Sequence, residues 1–140
     1  MNKVLVTGSS GLIGSEVSEF FLKKGISVFG IENNTRADFF GPNGDTRFNQ
    51  KRLQTLYASF KHIEMDIRDR GSILEVVKKI KPDLLVHTAA QPSHDLAAKR
   101  PFDDFDVNAG GTLNLLEAVR RDAPSCVFVP VSYTHLTLPT

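Results

Sequence analysis

Lys3-Val4-Leu5-Val6-Thr7-Gly8-Ser9-Ser10-Gly11-Leu12-Ile13-Gly14 opens the chain and decides how the rest of it folds. Its first five residues are rich in β-branched side chains and lack polar alternation, which predicts a parallel strand covered on both faces. Three glycines in the pattern G-x-x-G-x-x-G follow, and a helical pattern begins at Leu12. Strand, glycine turn and helix in that order make a cradle for phosphate. Gly8 permits the tight turn, Gly11 lets the backbone come up to a pyrophosphate, and Gly14 lets the helix lie close on the strand. The helix start offers unpaired N–H groups and a partial positive charge to the phosphates. The alternative, an ordinary strand–helix turn, does not require three glycines.

Working outward, a helix is expected over residues 12–24, with Ile13, Val17, Phe20 and Phe21 on its apolar face and Gly25 as its stop. The second strand covers 26–31, and Glu32 stands at its carboxyl end. A carboxylate there can accept hydrogen bonds from both hydroxyls of an adenosine ribose and would repel a 2′-phosphate, so NAD is expected rather than NADP. Arg36 is the nearby group that would accommodate such a phosphate, and a merely solvated loop glutamate is the plainer reading of Glu32. Residues 33–59 are polar and turn-rich around Gly41-Pro42-Asn43-Gly44-Asp45 and read as loop, with a short helix over 50–59. Ile63 and Met65 mark a third strand ending at Asp66. Asp69 caps a helix over 70–80 whose stripe is Ile73, Val76, Val77 and Ile80. A fourth strand covers 84–87, a loop 91–100, and a long helix 101–121 with Leu113, Leu116 and Val119 as its apolar face. Gly110 and Gly111 weaken that helix, which points to close packing against the sheet or a cofactor. A fifth strand covers 126–129. Strands alternating with helices define a Rossmann-type doubly wound parallel α/β sheet with right-handed crossovers and the order 3-2-1-4-5.

Composition narrows the partners. The 140 residues are 41% hydrophobic and 24% charged, enough for one domain with its own core. A net charge of +1 with scattered lysines and arginines predicts neither nucleic acid nor an anionic membrane as partner. Cys126 is the only cysteine, so an internal disulfide is impossible, and its neighbours Val127 and Phe128 suggest a buried strand thiol. No apolar run is long enough to span a bilayer, and a strand beginning at Lys3 leaves no room for a signal peptide, so a cytoplasmic location is expected. His62, His87, His94 and His135 lack metal-ligand spacing. Asp103, Asp104 and Asp106 read as a solvated cluster at a helix start, and Lys99 and Arg100 as a solvated loop.

These segments together resemble the extended short-chain dehydrogenase/reductase superfamily, in its NAD-dependent sugar-nucleotide epimerase/dehydratase branch. The resemblance is carried by the glycine turn and by Asp66-Ile67-Arg68-Asp69 and His87-Thr88-Ala89-Ala90-Gln91. It is also carried by Asn108-Ala109-Gly110-Gly111-Thr112-Leu113-Asn114-Leu115-Leu116-Glu117-Ala118. The stretch Glu32-Asn33-Asn34-Thr35-Arg36-Ala37-Asp38-Phe39-Phe40-Gly41-Pro42 is most similar to the CDP-paratose/CDP-tyvelose 2-epimerase subgroup. The resemblance implies NAD, with Gly8, Ser10, Gly11, Leu12, Ile13 and Gly14 at the phosphates and Glu32, Asn33, Asn34 and Arg36 around the adenosine ribose. It places Asp66 and Ile67 beside the adenine, the carboxylate accepting from the exocyclic amine. Thr88, Ala89, Ala90 and Gln91 would line the middle and nicotinamide side, and Asn108 would lie near the nicotinamide ribose. For each of these the structural alternative is that strand ends and helix starts select small and polar residues anyway. A nucleotide-sugar substrate is implied for the intact parent, and a homodimer is left open.

The resemblance also implies a tyrosine base paired with a lysine in a Y-x-x-x-K helix after strand five, removing a hydroxyl proton while hydride leaves the sugar carbon. For a 2-epimerase that carbon is C2. Tyr57 and Tyr133 are the only tyrosines; Tyr57 lies far too early in the fold, and Thr137 stands four positions after Tyr133. Position 133 is also where the family's serine or threonine belongs, with Ser132 just before it. No catalytic residue is therefore expected in this chain. Residues 1–129 are expected to be the NAD-binding part, its sheet truncated after about strand five, with the C-terminal substrate domain absent. Residues 130–140 read as a non-native tail, because Pro130 removes a ladder donor from what should be an interior strand. Such a sheet should leave apolar surface uncovered. Two further readings stay open: part of a nucleotide-sugar dehydratase, and a non-catalytic NAD-binding module.

Overall fold

In the computed structural model, which describes residues 1–91 and 93–131, β1 (Lys3–Thr7) lies at the centre of a five-stranded sheet. β2 (Ser27–Glu32), β3 (Phe60–Glu64), β4 (Leu84–His87) and β5 (Val127–Pro130) join it, all parallel, in the order β3-β2-β1-β4-β5. This is the expected order. Successive residues of β1 enter opposite layers: Leu5 packs with Ile73, Val77, Leu85 and Leu115, while Val4 and Val6 pack with Leu22, Val28, Leu53 and Val86. Burial on both faces explains why the strand shows no polar alternation.

The first layer is covered by α4 (Arg70–Ile80) and α7 (Thr112–Asp122), the second by α1 (Leu12–Lys23) and α3 (Arg47–Leu56). α1 ends as expected at Gly25, whose N–H bonds back to Leu22 while that of Ile26 reaches Phe21. α4 begins where Asp69 predicts, the carboxylate accepting the Ser72 N–H at 3.1 Å.

The segment read as loop between β2 and β3 is instead ordered as α2 (Thr35–Phe40), a 3-10 turn (Gly41–Gly44) and α3, three residues earlier than the helix expected there. Leu53 is the anchor of α3, fully buried against the second layer. After β4, α5 (His94–Lys99) replaces expected loop, its start capped by the Ser93 hydroxyl, which accepts the Leu96 N–H. α6 (Pro101–Phe105) then runs through a π turn (Asp106–Gly111) into α7.

Two helices meet the sheet with only part of their expected faces: Val17 and Phe21 of α1 pack against the second layer and Val119 of α7 is buried, while the other residues of each stripe turn outward. α1 buries Gly14, Ser15, Ser18 and Leu22, leaving Ile13 49% exposed and Phe20 outward beside Lys24. Small residues win because they let the helix axis come close to the strand ends. α7 buries Leu115, Ala118 and Val119, whereas Leu113 is 61% exposed and Leu116 also faces outward. The π turn holds one more residue per turn than an α-helix and so shifts the phase of the helix after it. Gly111 sits in it against Ile67, whose side chain a Cβ would strike. Cys126 falls just before β5 and is half-buried, and burial pushes its thiol up.

β5 runs to Pro130, which registers with His87, and the next ladder bond comes from the Val131 N–H to the His87 carbonyl at 2.9 Å. Among the described residues β5 is the last strand of the sheet, and Val127 and Val129 are exposed. The tail reading concerns 130–140; from 132 on, with Ser132, Tyr133, His135 and Thr137, it lies outside the described residues. No helix among the described residues is long and apolar enough to cross a membrane.

The outward turn of Leu113 gives a direct check. Leu115→Ala should cost about 2–5 kcal/mol in urea unfolding, the range for emptying a packed leucine site. Leu113→Ala should stay within about 0.5 kcal/mol, as surface changes do. Equal losses would mean the helix is turned the other way.

Candidate dinucleotide site

At the carboxyl edge of the sheet, β1 hands the chain to Gly8, which has φ +67° and no room for a side chain. A Cβ there would stand 2.8 Å from the Ala89 backbone nitrogen. The Gly11 N–H closes the turn on the Gly8 carbonyl at 3.0 Å, and the Gly8 N–H bonds the Ile31 carbonyl at 2.9 Å, tying the turn to β2. At Gly14 a Cβ would collide with the Gly8 carbonyl and the Thr88 hydroxyl, so α1 seats against the ends of β1 and β4 only with glycine. No side chain caps α1, and among the described residues nothing accepts the N–H groups of Leu12, Ile13 and Gly14. An uncapped helix start on an open edge is suited to an anion. Among the described residues the Ser9 and Ser10 hydroxyls are buried without a partner, that of Ser9 against Gly30 of β2.

Glu32 ends β2 with its carboxylate turned back over this turn. Oε1 accepts the N–H groups of Asn33 at 3.1 Å and Asn34 at 3.0 Å, and Oε2 accepts that of Ser10 at 3.4 Å. The Asn33 amide donates to Asp66 at 3.0 Å, and the Arg68 side chain grips the same carboxylate. Burial pushes the Asp66 carboxyl up, but the bonds from Arg68 and Asn33 outweigh it and hold it below the usual range. Ser10, Glu32, Asn33 and Asp66 are thus brought together. Ile67 is turned into the core beneath Gly111, and Arg36 lies on exposed α2 over the Phe40 ring. Asn34, in the left-handed region at φ 59°, accepts the Thr46 N–H and hydroxyl through its side-chain oxygen.

Asn49 was not legible as a site residue. Its amide nitrogen donates from α3 to the Ser10 carbonyl at 3.1 Å and the Ser15 hydroxyl at 3.4 Å, bracing the glycine turn from behind. No local pattern announces that contact. Tyr57 and Lys61 stand four positions apart, the Y-x-x-x-K spacing, but not on one helix. Tyr57 closes α3 and donates to Glu19 at 3.0 Å, while Lys61 lies on β3 over the Phe29 ring.

On the β4 side, the Thr88 hydroxyl donates to the Thr7 carbonyl at 2.6 Å and the Ala89 N–H to the Thr7 hydroxyl at 3.3 Å. Ala90 is exposed. Asn108 grips both backbone groups of Gln91, accepting its N–H at 2.9 Å and donating to its carbonyl at 3.2 Å. Asp104 is not simply solvated, because its carboxylate accepts from the side chains of both Asn108 and Gln91. Asp103 pairs with Arg100, which stacks over Phe39. His87, set aside in the sequence for want of metal spacing, is buried between Thr7 at 2.7 Å and Thr112 at 2.9 Å, with the Phe128 ring beside it. Burial lowers its pKa to about 4. Among the described residues no group of His, Cys, Asp and Glu is arranged to hold a metal ion.

The model of the NAD dependent epimerase/dehydratase family matches residues 4–134, and this chain belongs to that family. The CDP-paratose 2-epimerase of Salmonella typhi is 36% identical over 124 residues, 89% of this chain and 34% of the relative. A GDP-mannose 4,6-dehydratase of Yersinia enterocolitica is 34% identical over 128 residues, 86% of this chain and 32% of the relative. Among solved structures, the Thermus thermophilus UDP-glucose 4-epimerase in complex with NAD superposes with a TM-score of 0.67 at 32% identity, covering 85% of this chain and 34% of that one. The Bordetella bronchiseptica enzyme WbmH in complex with NAD+ gives 0.70 at 28% identity, covering 87% and 36%. The chain spans about a third of the length of the curated relatives it matches. NAD is the cofactor of the family, and the uncapped helix start and side-chain-free turn fit its pyrophosphate.

The buried imidazole has a consequence for stability. Its folded-state pKa of about 4 lies below the ordinary 6.5, so the unfolded chain takes up the proton first as pH falls. The contribution is complete above pH 6.5 and is lost as pH drops from there to about 4. In urea unfolding, the stability gap between the wild type and His87→Gln should shrink across that window. A constant gap would mean that His87 titrates normally.

Proposed function

We propose that this chain is the NAD-binding part of a sugar-nucleotide epimerase acting on a CDP-activated sugar at C2. The likeness to the Salmonella typhi CDP-paratose 2-epimerase, with the subgroup-like stretch from Glu32 to Pro42, carries the reading. In this proposal the N–H groups of Leu12, Ile13 and Gly14 hold the pyrophosphate, with Gly8 and Gly11 keeping its path clear and Ser10 beneath it. Glu32 takes the adenosine ribose hydroxyls, and Asn33 and Asn34 hold its carboxylate in place. Asp66 accepts from the adenine amine, Ile67 supports that side from below, and Arg36 stays on Phe40. Thr88, Ala89 and Ala90 line the nicotinamide half, with Gln91 and Asn108 shaping its floor. Bound there, NAD supplies a reversible hydride acceptor, which is what inversion of a carbinol carbon needs. The likeness to GDP-mannose 4,6-dehydratases supports a second reading, in which the intact protein eliminates water from the sugar instead.

Gly11 allows a clean test, because its φ of −69° suits any residue and a Cβ there would meet only the Gly8 carbonyl, at 3.3 Å. Gly11→Val should therefore leave the melting temperature near that of the wild type and abolish NAD binding in calorimetric titration. The unaltered chain should bind NAD more tightly than NADP, since Glu32 repels a 2′-phosphate; equal or tighter NADP binding would remove Glu32 from its assigned role.

No tyrosine and lysine share a helix among the described residues, so the 140 residues are proposed not to turn over by themselves. Incubation with NAD and CDP-sugars should leave each C2 epimer unexchanged in chromatography. Inversion above a protein-free control would sink this part of the proposal.

A further inference from the structure

His87 joins the two strand ends and the helix turn that frame the nicotinamide half of the site, and the proton positions around it are set by the acceptors. The Thr112 hydroxyl lies 2.6 Å from the Asn108 carbonyl, which can only accept, so the single hydroxyl proton of Thr112 is committed there. Nε2 of His87, 2.9 Å from the same oxygen, must then be the donor. The ring is buried and neutral, so Nδ1 carries no proton and accepts the Thr7 hydroxyl at 2.7 Å. Thr7 in turn accepts the Ala89 N–H at 3.3 Å. One unidirectional chain therefore runs from the Ala89 amide through Thr7, His87 and Thr112 to the Asn108 carbonyl. The opposite tautomer breaks it at both threonines. Thr7 would have to receive two protons and keep its own unplaced, and Thr112 would have to abandon Asn108. Hydrogen bonds aligned in this way polarise and strengthen one another in a low-dielectric interior.

We propose that His87 is a positioning residue of the cofactor site: as the neutral Nε2–H tautomer it fixes the Ala89 amide through Thr7 and the turn carrying Asn108 through Thr112. The inference rests on the reading of Ala89 and Asn108 as residues of the NAD site. Its geometric reach is wide for one ring. Thr7 ends β1, His87 ends β4, and Thr112 begins α7, so the imidazole sets the spacing of three elements. Through Asn108 it also reaches the backbone of Gln91, which Asn108 holds on both sides.

The tautomer is measured first, by two-bond proton–nitrogen correlation on the 15N-histidine-labelled chain at pH 7. The expected result is a protonated Nε2 and a bare Nδ1 at His87. A protonated Nδ1, or an imidazolium, would overturn the proposal. NAD titration of Thr112→Val, which keeps the volume and removes the hydroxyl, should show affinity weakened by about tenfold, the scale of one or two buried hydrogen bonds. Thr112→Ser, which restores the hydroxyl, should return affinity to within about twofold of the wild type on the same scale. His87→Leu should weaken NAD binding at least as much as Thr112→Val. Should it fail to fold, the Thr112 pair decides. Wild-type affinity in folded Thr112→Val would overturn the relay while leaving the NAD site standing. If the unaltered chain binds no NAD, the cofactor reading fails and the role assigned to the relay falls with it.

Discussion

The start of α1 presses onto the ends of β1 and β4 because positions 8 and 14 carry no side chain. A Cβ at Gly14 would collide with the Gly8 carbonyl and the Thr88 hydroxyl, and one at Gly8 would crowd the Ala89 backbone. Everything at the carboxyl edge depends on that contact. Among the described residues it leaves three N–H groups unpaired at the mouth of the sheet, where the helix dipole attracts negative charge. It also brings the Thr88 hydroxyl onto the Thr7 and Gly8 carbonyls, which closes the gap between the two central strands above their last paired residues.

The segment between β2 and β3 supports this contact from the far side. α3 is tied down by Leu53 below and reaches the glycine turn through Asn49 above, while Arg52 and Tyr57 both bind Glu19 on α1. Asn34 joins the start of that segment to Thr46 just before α3. The turn is thus held between two helices: α1, which it launches, and α3, which grips its Ser10 carbonyl. A turn preorganised in this way need not be ordered when a ligand arrives.

What could be read from the sequence was local. β1, β4, the Asp69 cap of α4 and the strand order follow from short-range pattern, and the glycine turn follows from its place between strand and helix. The faces of α1 and α7 were legible only in part, at Val17, Phe21 and Val119, because apolar periodicity selects large residues. Close packing against a sheet edge selected Gly14, Ser15 and Ser18 instead, and the π turn rotated Leu113 and Leu116 away from the core. The segment 33–59 looked like loop because its one deep anchor, Leu53, is surrounded by polar residues. At the candidate site the fold brings Ser10, Glu32, Asn33 and Asp66 into one hydrogen-bonded group, whereas Ile67 is turned inward and Arg36 outward. His87 opens a segment that carries the family resemblance, but its bonding is not legible there. Its partners Thr7 and Thr112 stand 80 and 25 positions away, so only the fold reveals them.

The π turn between α6 and α7 makes chain length itself part of the site. Each residue advances a helix by about 100°, and a π turn stores one residue beyond the regular count. Losing a single residue between Asp106 and Gly111 would let the helix run straight and would swing α6 around relative to α7. Asn108 and Asp104 would then leave Gln91, although no side chain in contact with it had been altered. Surface loops elsewhere in the chain have room to lengthen or shorten over generations. Across this stretch, insertions and deletions should be purged even where substitutions are tolerated.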